Sequence, residues 1–147
     1  MQEFFATHSL FAYDEFANHL ALRDSSNVKT RKTLLTHYVR TGRLVHVRRG
    51  IYAAVPPGQT PEIFQPDPFL LASRMTPDAV LAYHTALEFH GRAYSTFHRF
   101  TYLTHAATRT AEFWGNTFTE VAFPKALPER KQEYYGVEAA DRSGLEV

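Results

Sequence analysis

Apolar residues recur at helical spacing in the first third of the chain and change to strand-like runs beyond residue 43. A short first helix is expected from Gln2 to about His8, packed inward by Phe4, Phe5 and Leu10. A second fits Tyr13 to Leu22: Phe16, Ala17, Leu20 and Ala21 share one face, and Asp14 and Glu15 occupy the first turn, where the helix dipole favours acids. Asp24, Ser25, Ser26 and Asn27 are turn and cap formers. A third helix then runs from about Ser26 to Thr41 and stops at Gly42. Two helices joined by a short polar turn form a helix-turn-helix pattern. The run 44–55, LVHVRRGIYAAV, is rich in Val, Ile and Tyr on both sides of Arg49-Gly50 and predicts a β-hairpin. A hairpin directly after the third helix is the layout of a winged helix.

The pattern breaks at 56–68, PPGQTPEIFQPDP, where five prolines predict a linker. Beyond it, helices are expected over Asp67–Met75 and Asp78–His90, the second closed by Gly91. Strands are expected in FHRFTYLTH, AEFWGNTFTEVAF and EYYGVEA. The fold class is therefore α+β. A winged helix-turn-helix occupies 1–56, a linker 57–66, and a small α/β domain 67–147, which stops as another strand begins and so reads as incomplete.

Composition changes this picture little, and charge changes it much. With 44% hydrophobic residues the chain is globular. No apolar run approaches a membrane span, the N-terminus has no signal-peptide pattern, and a cytoplasmic protein is expected. The absence of cysteine excludes disulfides and thiolate metal sites. The net charge of +1 hides an asymmetry. No acid occurs between Asp24 and Glu62, a stretch that holds Lys29, Arg31, Lys32, Arg40, Arg43, Arg48 and Arg49. A basic segment without acids suits either a polyanion partner or a solvated face.

Placed on a helical wheel, Val28, Leu34, Leu35, Tyr38 and Val39 form the core face of the third helix. Lys29, Thr30, Thr33, Thr36, His37 and Arg40 form the opposite face, flanked by Arg31 and Lys32. Short polar groups and cations without acids are what a helix in a DNA major groove requires. Ser25, Ser26 and Asn27 at the helix start suit either a phosphate oxygen or simple N-capping. Arg48 and Arg49 at the hairpin tip suit backbone or a narrow minor groove. The candidate DNA-binding set is therefore Ser25, Ser26, Asn27, Lys29, Thr30, Arg31, Lys32, Thr33, His37, Arg40, Arg48 and Arg49. His46 and Tyr52 read as structural. No catalytic, metal or cofactor site is expected. The nearest rival is His84 with Glu88, four apart on one helix, a spacing that fits a metal or acid–base pair and fits equally a hydrogen-bonded pair anchoring the second domain.

The runs Phe11-Ala12-Tyr13, Thr30-Arg31-Lys32 and GRLVHVRRGIYAAV resemble the N-terminal winged helix of AbiEi-type antitoxins, and DPFLLASRMTPDAVLAYHTALEFHG resembles the opening of that family's second domain. The resemblance implies a repressor that binds inverted repeats in its own promoter. It also implies an antitoxin of a type IV toxin–antitoxin system, which counters a nucleotidyltransferase-like toxin, AbiEii, without a stable complex. The family's DNA-contacting positions correspond here to Lys29, Arg31, Lys32, Arg40, Arg48 and Arg49. Members of the family continue past the point where this chain stops, which implies a fragment or a short member. The alternatives are a plain winged-helix transcription factor with a ligand-sensing or assembly domain, a DNA-processing enzyme built on His84 and Glu88, or a winged helix that serves only protein contacts.

Overall fold

The computed structural model describes residues 1–23 and 27–125 and the short strands 139–140 and 145–146. Helices and strands are mixed, as an α+β protein requires, and the chain forms two compact units, Met1–Pro66 and Asp67–Val147.

In the first unit the order is α1 (Gln2–Thr7), β1 (Leu10–Ala12), α2 (Tyr13–Ala21), α3 (Val28–Arg40), β2 (Leu44–Arg48) and β3 (Ile51–Ala54). The strands form one antiparallel sheet in the order β1-β3-β2. This is the winged-helix arrangement. Strand β1 was not foreseen from the sequence. Its three residues pair with β3 in the register Leu10↔Ala53 to Ala12↔Ile51.

The core is aromatic. Phe4, Phe11, Phe16, Leu20, Leu35, Leu44 and Ala54 form one buried cluster. Phe4 meets Phe11 edge-on with ring centroids 5.1 Å apart, and Phe16 lies about equally near both, at 5.9 and 6.0 Å. Phe11 and Phe16 have no exposed surface. Helix α2 starts where the Glu15 carboxylate turns back to accept the Ala12 backbone N–H at 2.6 Å, which satisfies one of the donors a helix start leaves over.

The 57–66 segment, expected as a linker, belongs to the first unit. It is built of turns, with Gln59 N–H bonded to the Pro56 carbonyl and Phe64 N–H to the Thr60 carbonyl. Phe64 is 7% exposed. A Cβ placed on Gly42 would lie 3.2 Å from the Pro61 ring, so this stretch packs closely against the end of α3.

The second unit contains α4 (Pro68–Ser73), β4 (Val80–Leu81), α5 (Tyr83–Phe89), β5 (Arg99–Thr104), β6 (Ala111–Phe113) and β7 (Asn116–Ala122), with a small ladder of β8 (Ala139–Ala140) and β9 (Leu145–Glu146). The main sheet has the order β4-β5-β7-β6. Strands β5 and β7 are parallel, and both outer pairings are antiparallel. The expected strand EYYGVEA lies outside the described residues except for Ala139. The helix expected from Asp78 is instead a strand and a shorter helix. Ala79, Val80 and Leu81 are all buried, and Val80 and Leu81 pair with Leu103 and Tyr102. Pairing with β5 satisfies the backbone of this pair, and a short run of buried residues fits a strand covered on both faces. Helix α5 is tied to β5 by the buried Thr85 hydroxyl, which accepts the Thr101 backbone N–H at 2.8 Å.

Asp78, freed from any helix-capping role, holds the end of β5. Its carboxylate accepts the Thr104 hydroxyl at 2.6 Å and the His105 backbone N–H at 2.8 Å, and it meets His105 Nδ1 at 3.1 Å. The His105 ring in turn stacks on Phe123 at 4.3 Å. Partial burial pushes the Asp78 carboxyl towards a higher pKa, but these hydrogen bonds outweigh it and bring it to about 2, from an ordinary 3.8.

Two predictions follow from this architecture. A 1–66 fragment folds by itself with a dispersed amide spectrum, whereas a 1–56 fragment, which lacks the turns packed on Gly42, has a lower melting temperature; equal melting of the two would show that residues 57–66 contribute nothing. In the second unit, the lowered pKa of Asp78 means that its stabilising contribution is complete above about pH 4 and is lost as pH falls through about 2. Asp78→Ala therefore costs on the order of 1–2 kcal/mol at neutral pH and flattens the acid limb of the stability profile, as read by urea unfolding from pH 7 to 2.

Candidate nucleic-acid interface

Helix α3 is anchored by its C-terminal half. Leu35 is 3% exposed, and Leu34, Tyr38 and Val39 pack around the core cluster. The end of the helix is closed by Gly42 at φ 73, which lets its N–H reach the Val39 carbonyl while Arg43 N–H reaches Tyr38. A left-handed residue in this position is where glycine carries no Cβ penalty. The N-terminal half stands away from the core. Val28, expected on the core face, is 56% exposed.

The outward face gathers most of the expected residues. Lys29, Lys32, Thr33, Thr36, His37 and Arg40 line one shallow depression of about 390 Å³ on the surface of α3. All six are exposed. Thr36 is on this face but was not in the candidate set. Arg31, expected beside this face, is half-buried and absent from the lining. Nine residues at 100° each place it roughly 180° around the helix from Arg40. A second depression, of about 410 Å³, lies between α3 and the sheet, where Thr36 and Arg40 meet His46 and Tyr52. The Tyr52 ring packs at 6.0 Å on Phe11 and at 5.0 Å on His46, as a structural role requires. Burial raises the pKa of the Tyr52 phenol above its ordinary 10.

Hydrogen bonds fix what the threonines can offer. Thr33 Oγ1 donates to the Lys29 carbonyl and Thr36 Oγ1 to the Lys32 carbonyl, each at 2.9 Å. With their protons turned back onto the helix, both hydroxyls present acceptor lone pairs and methyl groups outward. Such groups complement the amino donors of cytosine and adenine and the thymine methyl. Asn27 is the N-cap of α3: its Oδ1 accepts both the Thr30 N–H and the Thr30 hydroxyl, at 2.9 and 3.0 Å. This keeps the Asn27 side-chain NH2 out of the cap and commits the Thr30 hydroxyl to it. Ser25 and Ser26 lie outside the described residues.

The hairpin carries Arg48 and Arg49 at its turn. Arg49 is exposed and Arg48 half-buried. The register shifts between His46 and Arg48, a bulge that bends the strand just before the turn. Gly50 has φ 79, and its carbonyl accepts the Tyr13 N–H at 2.8 Å, so the turn is pinned to the start of α2.

The electrostatics of α3 are unusual for an isolated helix. Its first turn holds no acid and carries Lys29 and Arg31, cations at the positive end of the helix dipole. That placement costs a few tenths of a kcal/mol per charge unless an anion is bound.

His84 and Glu88 form no comparable site. His84 Nε2 donates to the Ser95 carbonyl at 2.9 Å and lies 3.6 Å from Glu88 Oε2, while its ring packs on Phe97 at 4.3 Å. The nitrogen nearest Glu88 thus carries its proton towards a carbonyl and is not presented to a metal. Among the described residues no group of three or more His, Cys, Asp or Glu side chains is placed to hold a metal ion. Comparison with protein-family models and with curated proteins gives no match.

The cap gives the prediction for this region. Asn27→Ala removes the acceptor for Thr30 and lowers stability by about 1 kcal/mol, with faster amide exchange confined to the first turn of α3. Uniform exchange along the helix would show that the cap does not hold it.

Proposed function

We propose that this protein binds double-stranded DNA, with α3 in the major groove and the β2–β3 turn on the adjacent backbone or minor groove, and that it acts as a sequence-specific transcriptional repressor. The observation that carries this reading is the outer face of α3. Four titratable or cationic side chains, Lys29, Lys32, His37 and Arg40, share one exposed depression with two outward-facing threonines, within a segment that has no acid from residue 25 to 61. Cations meet phosphate, and the threonine acceptors and methyls approach base edges. The cations in the first turn of α3 then have a reason: they oppose the helix dipole in the free protein and are compensated when phosphate arrives.

The resemblance to AbiEi-type antitoxins extends the proposal. On it, the operator is an inverted repeat in the protein's own promoter, and the second unit counters a nucleotidyltransferase-like toxin encoded alongside, without a stable complex. Described residues contain no helix long and apolar enough to cross a membrane.

Electrophoretic shift with the DNA upstream of the protein's own gene tests the proposal. If the cations Lys29, Lys32, Arg40, Arg48 and Arg49 meet phosphates, log affinity falls against log salt with a slope of roughly −4 to −5. A slope near zero would remove the DNA reading. Arg40→Ala weakens operator binding more than Arg31→Ala, which lies on the opposite side of α3. Thr33→Val, which keeps the methyl and removes the acceptor, lowers operator affinity with little change on scrambled duplex, by about 1–3 kcal/mol. Arg48→Ala with Arg49→Ala lowers both by similar factors and flattens the salt slope by up to about two units. The antitoxin role is tested separately, by co-expression with the neighbouring toxin gene. Growth that is not rescued leaves a repressor without antitoxin activity.

A further inference from the structure

Arg43 belongs to the acid-free segment but not to the outer face of α3. Its backbone is held at both polar atoms: the N–H donates to the Tyr38 carbonyl, and its carbonyl accepts the Val55 N–H, each at 3.0 Å. Its guanidinium lies over two rings, 5.8 Å from the centre of Phe5 and 5.6 Å from that of Tyr38. The side chain is exposed, and among the described residues no carboxylate lies within ion-pairing distance of it. It opens onto a depression of about 500 Å³ whose walls include Phe5, Ala6, Ala54 and Val55, with Gln2 and Ser9 as polar groups. This depression lies at the end of the sheet where Leu44 pairs with Ala54, the opposite end from the Arg49-Gly50 turn.

A guanidinium within 6 Å of two aromatic faces is held by cation–π attraction, and its N–H donors can still meet a carboxylate in the two-pronged fashion arginine favours. The walls around it are mostly apolar, and the volume falls within the range of small-molecule sites. A nucleic-acid phosphate arrives on a wide polar backbone and gains nothing from such walls. We propose that this depression binds a small organic carboxylate with an aromatic or branched aliphatic body, its carboxylate on Arg43 and its apolar part against Phe5, Ala6 and Ala54. Arg43 itself touches the end of α3 through the Tyr38 ring. The binding itself does not depend on the DNA reading.

The test is a titration of the full chain, 15N-labelled, with benzoate, phenylacetate and isovalerate, and with benzamide as the neutral counterpart. At least one acid is expected to give saturable shifts at the amides of Ala6, Ala54 and Val55, with a Kd of about a millimolar or tighter. Loss of the charge-assisted hydrogen bonds weakens binding at least about tenfold, both for benzamide against benzoate and for the acids in Arg43→Met. Ala6→Leu, which fills the depression from an exposed helix position, abolishes the shifts and decides the matter if Arg43→Met fails to fold. The proposal is overturned if no acid saturates those amides by about 20 mM. Equal binding of benzamide, or acid binding unchanged in Arg43→Met or Ala6→Leu, overturns it too.

Discussion

The first unit depends on the burial of Phe11. This residue sits in the middle of a strand only three residues long, and its ring contacts those of Phe4, Phe5, Phe16 and Tyr52. Those partners come from α1, α2 and β3. One side chain therefore couples both early helices to the hairpin, and the backbone of β1 adds the third strand that a two-stranded hairpin needs to be stable in water. Leu35, the buried anchor of α3, belongs to the same cluster. In a unit of this size, where the core supplies only a few kcal/mol of net stability, a single buried phenylalanine worth about 3–5 kcal/mol decides whether the fold exists.

The polar surface is arranged against the stability of α3. Capping by Asn27 is favourable, but the cations that follow it are at the wrong end of the dipole, and the exposed Val28 gains nothing from burial. Acids are placed where they help elsewhere: Asp14 and Glu15 open α2, and Asp67 caps α4 through the Phe69 N–H at 2.9 Å. The chain thus places acids at the starts of α1, α2 and α4, and puts cations without acids in the first turn of α3. Local rules broken in one element and obeyed in its neighbours point to a function for that element.

How much of this was legible in the sequence depends on the length of each signal. Helix α3 and the hairpin were legible because thirteen residues of helical period and a Gly turn between β-branched runs are long enough to be unambiguous. Strand β1 was not, because Leu10-Phe11-Ala12 is too short to display a period and falls between two helices. Val80-Leu81 was read into a helix because alanine and leucine favour one and because its partner, β5, is twenty residues away in the chain. The wheel placed Lys29, Thr33, His37 and Arg40 correctly, since rotation about a helix is fixed by geometry. It could not show that the hydroxyls of Thr33 and Thr36 turn back onto the backbone, which depends on side-chain rotation. Nor could it show that Arg43, one cation among seven in the sequence, stacks on Phe5 from an element almost forty residues earlier.

The two ends of α3 are held in different ways, and the difference bears on how the helix can work. At its C-terminal end the backbone is fixed by the Gly42 and Arg43 hydrogen bonds and by Val55 N–H on the Arg43 carbonyl, which joins the helix to the continuation of β3. At its N-terminal end the described contacts are those of the cap, and the side chains there are exposed. The hairpin turn is bonded to the first residue of α2 through Gly50 and Tyr13, while β2, which leads into it, packs along α3. The exposed residues Lys29, Lys32 and Thr33 are thus on the part of the helix that projects from a fixed base, while the turn that carries Arg48 and Arg49 has its own tie to α2. A tilt at the fixed end would be enlarged at Lys29, which lies about 14 Å along the helix from Tyr38.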